Sequence, residues 1–448
     1  MTQDFLDTAY RIGRQIADQA IWHSGRCNWT GSLPQEGASG RVAMTEVALG
    51  PDLYGGTSGI AFFLAQLYAA TGDEDIRRVA LGAIRQALSR VDVSTEAQLS
   101  NLGLYGGRGG IALAAASVGS ALGDWALLEQ AADVLPGTGP ADAGAGGFDL
   151  VSGRAGTIIA LLALHEPLHE ECLVEQAVHV ADQLLEAVKP GDAWYSWPSP
   201  GLPRSRPLTG FSHGTAGAGY ALCELSAVTG IASYAQAAQR AFDYERHLFD
   251  AAVQNWPDLR EDRSRRQRAR RSFATFWCHG APGIALSRLR AHELSRDGTC
   301  RSEAITAIGT TRQAVTAAML PHRGNYSLCH GLAGNAEVLL HAALTLGGDW
   351  AQDRALALRI AELGRDSHAR SGSWPCGVPD GQTPNLFLGL AGTGLFYLRI
   401  HDPAVPSVLL PVPGTFAAAH RQTRAPARAD GSRMTRAAAA PSPRAASP

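Results

Sequence analysis

WCHGAPGIALSRL, from Trp277, and LCHGLAGNAEVLL, from Leu328, share one frame: a large apolar residue, Cys-His-Gly, two residues, a second Gly, then an apolar run. Reading outward in both directions finds the frame five more times. The copies are LYGGTSGIAFFLAQLYAATGD from Leu53, LYGGRGGIALAAASVG from Leu104, LVSGRAGTIIALLAL from Leu150, FSHGTAGAGYALCELSAVTG from Phe211 and FLGLAGTGLFYLRI from Phe387. The seven copies are separated by about 45 to 65 residues, at or above the period of helical-pair arrays. Each Gly-x-x-Gly opens a segment apolar on nearly all sides, the pattern of a buried helix. More polar helical stretches, such as residues 74–91 and 175–188, lie between copies. Each unit therefore reads as an inner and an outer helix. Seven such pairs predict an all-α fold, an α/α toroid in which the glycines let inner helices approach and permit the entering turn. Strand signals are sparse, with a minor strand expected near 193–198.

The bulk properties allow this and exclude other classes. The chain has 448 residues, 45% apolar and 18% charged, with a formal net charge of -2. Nothing in that balance draws it to nucleic acid or an anionic surface. No stretch of about 18 apolar residues predicts a membrane span, and the N-terminus lacks the basic start and apolar run of a signal peptide. The seven cysteines are an odd number scattered over a long chain, which points to a reducing, cytoplasmic setting. Residues 1–412 carry the repeats. Residues 413–448 are rich in Ala, Arg, Pro and Ser without apolar periodicity, and a disordered tail is expected there. Residues 260–271, REDRSRRQRARR, hold seven arginines. They read as a solvated loop or as a docking surface for an acidic segment.

The chemistry lies at the helix entries. Zinc favours Cys and His, and a catalytic site uses three protein ligands and an open position. Cys278 and Cys329 supply two ligands, and either His330 or His279 the third. Two thiolates and a neutral imidazole leave a metal that is a weak electrophile, suited to lowering the pKa of an incoming thiol. If every Gly-x-x-Gly marks a helix N-terminus, backbone N–H groups there favour thiolates and enolates. His213 occupies the repeat position of His279 and His330 and reads as a general acid or base, or as a structural histidine. Asp149, preceding the third repeat, is the carboxylate best placed to join it, or is a helix N-cap. His165-Glu166-Pro167-Leu168-His169 matches the metalloprotease pattern His-Glu-x-x-His. Pro167 and the position after a repeat helix argue that the two imidazoles do not share a helical face.

GFSHGTAG, WCHGAPGI, LCHGLAGN and NLFLGLAGTGLFYLRI resemble the motifs of LanC-type lanthionine cyclases, over nearly the whole chain to about residue 412. Asn28-Trp29, WCHGAPG and the last repeat are most similar to the cyclase domain of LanM-type lanthipeptide synthetases; eukaryotic LanC-like proteins share WCHGAPG. The resemblance implies a double barrel of seven inner and seven outer helices, with zinc held by Cys278, Cys329 and His330. It implies intramolecular addition of a peptide Cys thiolate to dehydroalanine or dehydrobutyrine, giving a thioether ring in a dehydrated leader-core precursor peptide. His213 and Asp149 match positions implicated in proton transfer. His279 matches one that protonates the enolate or orients substrate. Stand-alone bacterial cyclases carry an Arg where this chain has Ala274, so Arg270 or Arg271 would supply that role, or it is absent. The large dehydratase domain of LanM enzymes is not in this chain, which implies a separate dehydratase. Two alternatives accompany this reading: addition of a separate thiol such as glutathione to a dehydroamino acid, and a non-catalytic peptide-binding scaffold.

Overall fold

The computed structural model of the chain describes residues 2–36, 42–91, 102–135, 147–190, 193–199, 206–260, 272–319, 324–379 and 381–416. Fourteen α-helices run through these residues. They are α1 (Thr2–Asp18), α2 (Thr57–Thr71), α3 (Glu74–Val91), α4 (Arg108–Leu122), α5 (Trp125–Asp133), α6 (Arg154–Leu168), α7 (Glu171–Glu186), α8 (Thr215–Thr229), α9 (Ala232–Leu248), α10 (Ala281–Ser295), α11 (Gly298–Ala318), α12 (Leu332–Leu346), α13 (Ala351–Ser371) and α14 (Leu390–His401). The even-numbered helices are the seven apolar repeat segments. Each touches the next, and α14 touches α2, so they close into a ring. Outside them, α3, α5, α7, α9, α11 and α13 each pack on the inner helix before them, and α1 packs on α14. The toroid is thus closed by the first helix of the chain serving the last.

All seven inner helices have glycine at the N-cap: Gly56, Gly107, Gly153, Gly214, Gly280, Gly331 and Gly389. The second Gly of each motif has a reason more local than helix–helix approach. A Cβ on Gly283 would lie 2.1 Å from the Trp277 carbonyl oxygen of its own turn and 2.6 Å from Phe211 Cβ of the neighbouring repeat. On Gly156 it would lie 2.1 Å from Leu150 O. The entering turn therefore folds back over the helix's first residues. That turn also takes the first helical N–H: Thr57 donates to Gly50 O, Arg154 to Gly147 O, Thr215 to Leu208 O, Leu332 to Asn325 O and Leu390 to Thr383 O, at 2.8 to 3.1 Å. Ala281 N–H donates to Asn255 Oδ1 at 3.0 Å. These first donors are thus engaged within the entering turns.

Outer and inner layers are also tied by buried charge. Arg288 on α10, wholly buried, donates to Glu245 of α9 at 3.0 Å and to Glu303 of α11 at 2.6 Å. The other Glu245 oxygen accepts the N–H groups of Gly210 and Ala216 at the start of α8. At the end of the ring away from the entering turns, the segment after α14 closes the hole. Tyr105, Tyr220 and Trp277 donate to the carbonyls of Val408, Pro411 and Leu409.

Strands are short: β1 (Ile21–His23) with β2 (Arg26–Asn28), β3 (Thr30–Glu36) with β4 (Val42–Ala48), and β5 (Lys189–Pro190) with β6 (Tyr195–Ser196). The last pair is the minor strand expected near 193–198. The other two hairpins were not foreseen. Ordered chain runs past residue 412: Phe416 is buried and its ring lies 5.9 Å from that of Phe62. The rest of the expected tail lies outside the described residues. Among the described residues no helix is long and apolar enough to cross a membrane, and all seven cysteines are free thiols.

Candidate functional site

The repeat places one residue of each entering turn two positions before the N-cap. Around the ring these are Tyr54, Tyr105, Val151, Ser212, Cys278, Cys329 and Phe387. Their backbones form a collar in which each repeat donates to the next. Tyr54 N–H donates to Tyr105 O, Tyr105 to Val151 O, and Leu150, beside Val151, to Ser212 O; Ser212 then donates to Cys278 O, Cys329 to Phe387 O and Phe387 to Tyr54 O. The distances are 2.9 to 3.4 Å. Among these seven, Cys278 and Cys329 are the one neighbouring pair that no backbone bond joins. There the repeats are linked instead by Asn335 Nδ2, which donates to Thr275 O at 3.0 Å. The collar is open where its two thiols meet.

Each thiol bears on the titration of the other: the partner sulfur, ahead of burial, raises the pKa of Cys278, and it lowers that of Cys329 against the opposing effect of burial. Tyr54 also lowers Cys329. His330 Nε2 lies 3.0 Å from Gly377 O. A carbonyl only accepts, so Nε2 carries the proton and Nδ1 keeps its lone pair, the tautomer and outer-shell bond of a metal-binding imidazole. Among the described residues, however, no three Cys, His, Asp or Glu side chains lie close enough to form a closed metal site. The donor types, the neighbouring thiols and the His330 tautomer fit a Cys2His site in their chemistry. His279 is buried beside the pair and separated from His213 by 6.0 Å between ring centroids.

Asp149 is not the helix N-cap, which is Gly153, but it does reach His213. Its Oδ1 accepts the Ser152 N–H at 2.8 Å within the turn, and its Oδ2 holds His213 Nδ1 at 2.7 Å. Burial alone would lower the His213 pKa. The hydrogen bond and charge of Asp149 outweigh it and raise the pKa above its ordinary value. His279 moves the other way, down to about 4, through burial and the positive charge of Arg260. The two imidazoles at equivalent repeat positions are thus shifted in opposite directions, His213 toward holding its proton and His279 toward the neutral ring.

Several residues at the site were missed in the sequence. Arg260 is held by Asp258 in a forked pair at 2.9 and 3.1 Å, and its charge lowers the pKa of both Cys278 and Cys329. Ala274 is confirmed as a position without charge, and Arg270 and Arg271 lie outside the described residues, as does the arginine stretch beyond Arg260. Phe276 stands exposed at the rim, edge-on to His330 at 6.0 Å. Tyr54 and Asp52 were legible in principle, since they share the repeat register of the cysteines and of Asp149. Cys278, Cys329, His213, Tyr54 and Asp52 open onto one cavity of about 820 Å³. Its outer wall is the β4 end, Val47 to Leu49, and its floor includes Trp277.

The protease-like motif lies elsewhere. Helix α6 continues through Pro167 to Leu168, two residues further than a stop before the proline would allow, and His169 is the C-cap with φ of 56°. His165 Nδ1 meets Glu170 O at 3.1 Å. The two imidazoles do not share a helical face.

Comparison with known proteins agrees with this architecture. Among solved structures, "Nisin cyclase" superposes with a TM-score of 0.59 at 17% identity, covering 82% of this chain and 91% of that one. An unsaturated glucuronyl hydrolase from Bacillus sp. GL1 (TM-score 0.43, 17% identity, 70% and 85% covered) and a GH76 α-mannanase of Bacteroides thetaiotaomicron (0.48, 10%, 90% and 96%) are more distant and carry no argument. At these identities the likenesses speak to fold alone. The model of the family "Lanthionine synthetase C-like protein" matches residues 47–410, from the β4 end of the cavity wall to the segment that closes the ring. With the match spanning all seven repeats, the chain belongs to the lanthionine synthetase C-like family.

Proposed function

We propose that this protein is a zinc-dependent lanthionine cyclase acting on a dehydrated peptide. The observation that carries the reading is the pairing of Cys278 and Cys329 at the open point of the collar, in one cavity with the His213–Asp149 pair. Cys278, Cys329 and His330 would hold the metal. When bound, zinc on such donors lowers the pKa of an arriving thiol and leaves it nucleophilic.

The protein's own residues supply the rest. The peptide thiol gives up its proton to solvent, from which His213 is later reprotonated, and its sulfur forms a bond to Cβ of dehydroalanine or dehydrobutyrine. The alkene π pair moves onto Cα and the adjacent carbonyl as an enolate. His213, kept protonated by Asp149, donates the proton to Cα, so the product is an isomer of the substrate. His279, neutral and buried, orients the enolate oxygen or its amide. Arg260 adds positive charge beside the thiols, where an anion must be stabilised.

Ring closure leaves peptide mass unchanged, so the assay counts free thiols by alkylation. Incubation of a dehydrated, cysteine-containing peptide with the purified protein is expected to remove one alkylatable thiol per ring. Full retention of thiols would refute cyclisation of that peptide. About one zinc per chain is expected, with loss in the double variant Cys278→Ala/Cys329→Ala. A metal-free protein that still closes rings would remove zinc from the reading.

A further inference from the structure

The residue just before each N-cap divides the mouth of the toroid in two. In the fourth, fifth and sixth repeats it is His213, His279 and His330, and in the first and second it is Gly55 and Gly106. These two glycines differ from the others of the motif. A Cβ on Gly56 would lie 2.3 Å from Gly50 O, and one on Gly110 2.2 Å from Leu104 O, so those positions admit nothing larger. At Gly55 the nearest atoms are Asp52 Oδ1 at 3.7 Å and Asn385 Nδ2 at 3.9 Å, ordinary contact distances. At Gly106 the nearest is the Ser152 hydroxyl at 3.1 Å, the far end of a side chain. Neither glycine has positive φ. The fold does not require them to be bare, and both line the cavity.

The groups beside this bare sector lack the partners that the repeat provides elsewhere. Asp149 of the third repeat pairs with His213 of the fourth. Asp52 is its equivalent in the first repeat, and the position that would answer it in the second is Gly106. Asp52 Oδ1 accepts the Gly55 N–H at 2.6 Å, and the hydrogen bonds to its carboxylate come from backbone alone. Asn385, the equivalent in the seventh repeat, is wholly buried. Its Oδ1 accepts the Leu388 N–H at 2.9 Å while its Nδ2 has no partner and faces Gly55. A carboxylate with acceptor capacity to spare, and a buried amide short of an acceptor, thus flank a flat surface without side chains. A buried polar group without a partner calls for an explanation, and a ligand that completes it is one.

We propose that the Gly55–Gly106 sector seats the dehydroamino-acid residue of the peptide, and that Asp52 holds it by accepting its backbone N–H. The inference rests on the cyclase reading for the identity of the ligand. A dehydro residue is trigonal at Cα and flat, so it lies against glycine faces that a Cβ at 55 or 106 would lift it from. Across the same cavity are the thiols and His213, which places acceptor, nucleophile and acid in one space. Asp52 is in this account a positioning residue.

The test uses the full chain and the probe N-acetyl-dehydroalanine methylamide, with binding followed by saturation-transfer NMR. Asp52→Asn keeps the oxygen that accepts from Gly55 and replaces the other by a donor, so probe affinity is expected to fall about tenfold. Gly106→His, which fills the sector and gives Asp52 the partner that Asp149 has, is expected to abolish saturable binding with zinc content unchanged. Asp149→Asn is expected to leave probe affinity within twofold. With a dehydrated peptide, Asp52→Asn is expected to raise KM about tenfold and leave kcat within about twofold. Wild-type affinity in both Asp52→Asn and Gly106→His, or no saturable binding to the wild-type protein, overturns the seat. Probe binding that depends on Asp52 without any ring closure leaves the seat standing and refutes the cyclase reading. Ring closure with wild-type KM in both variants does the reverse.

Discussion

At the scale of residues, the His213–Asp149 pair gives the sharpest expectation. Asp149 raises the His213 pKa above 6.5 against the opposing effect of burial. An acid works while protonated, so ring closure limited by His213 should persist up to that raised pKa and fall above it. In Asp149→Asn the charge is gone and burial is left to act alone. The alkaline limb of the rate profile should therefore move to lower pH, below the ordinary histidine range, with a lower plateau. His213→Ala should retain zinc, lower kcat by about 100-fold or more and abolish that limb. A profile unmoved by Asp149→Asn would mean that another group donates the proton. The residues of this pair were legible because they stand in the register of the repeat. Tyr54 and Asp52 stand in the same register, but the register was read only in the repeats that carry Cys or His and in the one just before them. Arg260 reaches the site from a segment whose composition resembles solvated loop, and only tertiary structure brings it to the thiols.

At the scale of elements, the repeat was legible because each inner helix must be apolar all round and begin on glycine. The reason for the second glycine was not, since the carbonyl that forbids a Cβ lies six residues earlier in its own turn, as Leu150 O does to Gly156. Gly156→Ala should therefore cost about 1–3 kcal/mol in chemical denaturation, the price of overpacking a rigid contact. Gly309, within α11, has nothing within 4 Å of a Cβ, and Gly309→Ala should stabilise by about 1 kcal/mol. Equal effects at the two positions would show that glycine is retained for helix propensity and not for the turn. The β3–β4 hairpin escaped the sequence reading because Gly31 and Pro34 interrupt its alternation and Gly37 and Gly40 follow. α6 outlasted Pro167 because a proline in a final turn removes one hydrogen bond at a place where the helix is ending in any case.

At the scale of the whole molecule, a ring of seven inner helices leaves a hole, and the chain fills it with the segment that follows α14. Tyr105 and Trp277 descend from the collar and bond to the carbonyls of Val408 and Leu409, while Tyr220 reaches Pro411. Val408, Leu409, Leu410 and Phe416 are buried in the process. The floor of the cavity is thus held from below: Trp277 adjoins Cys278 in sequence, and its ring is in contact with Tyr105 and Phe387 at 5.3 and 5.0 Å. Three buried hydrogen bonds at about 1 kcal/mol each and four apolar side chains at about 1.5–3 kcal/mol each amount to a total on the order of 10 kcal/mol. That is comparable to the whole stability of a typical domain, about 5–15 kcal/mol. A chain ending at Asp402 should therefore show no cooperative thermal transition and no ring closure. One ending at Phe416 keeps every contact of the closing segment and should match the full chain in melting temperature and in thiol loss. The intermediate variant Trp277→Phe deletes one hydrogen bond and keeps the apolar contacts. It should unfold cooperatively at a melting temperature lower by a few degrees, with zinc retained. If the chain ending at Asp402 melts like the full protein, the closing segment is an ornament of the barrel, and the collar must be rigid through its own hydrogen bonds.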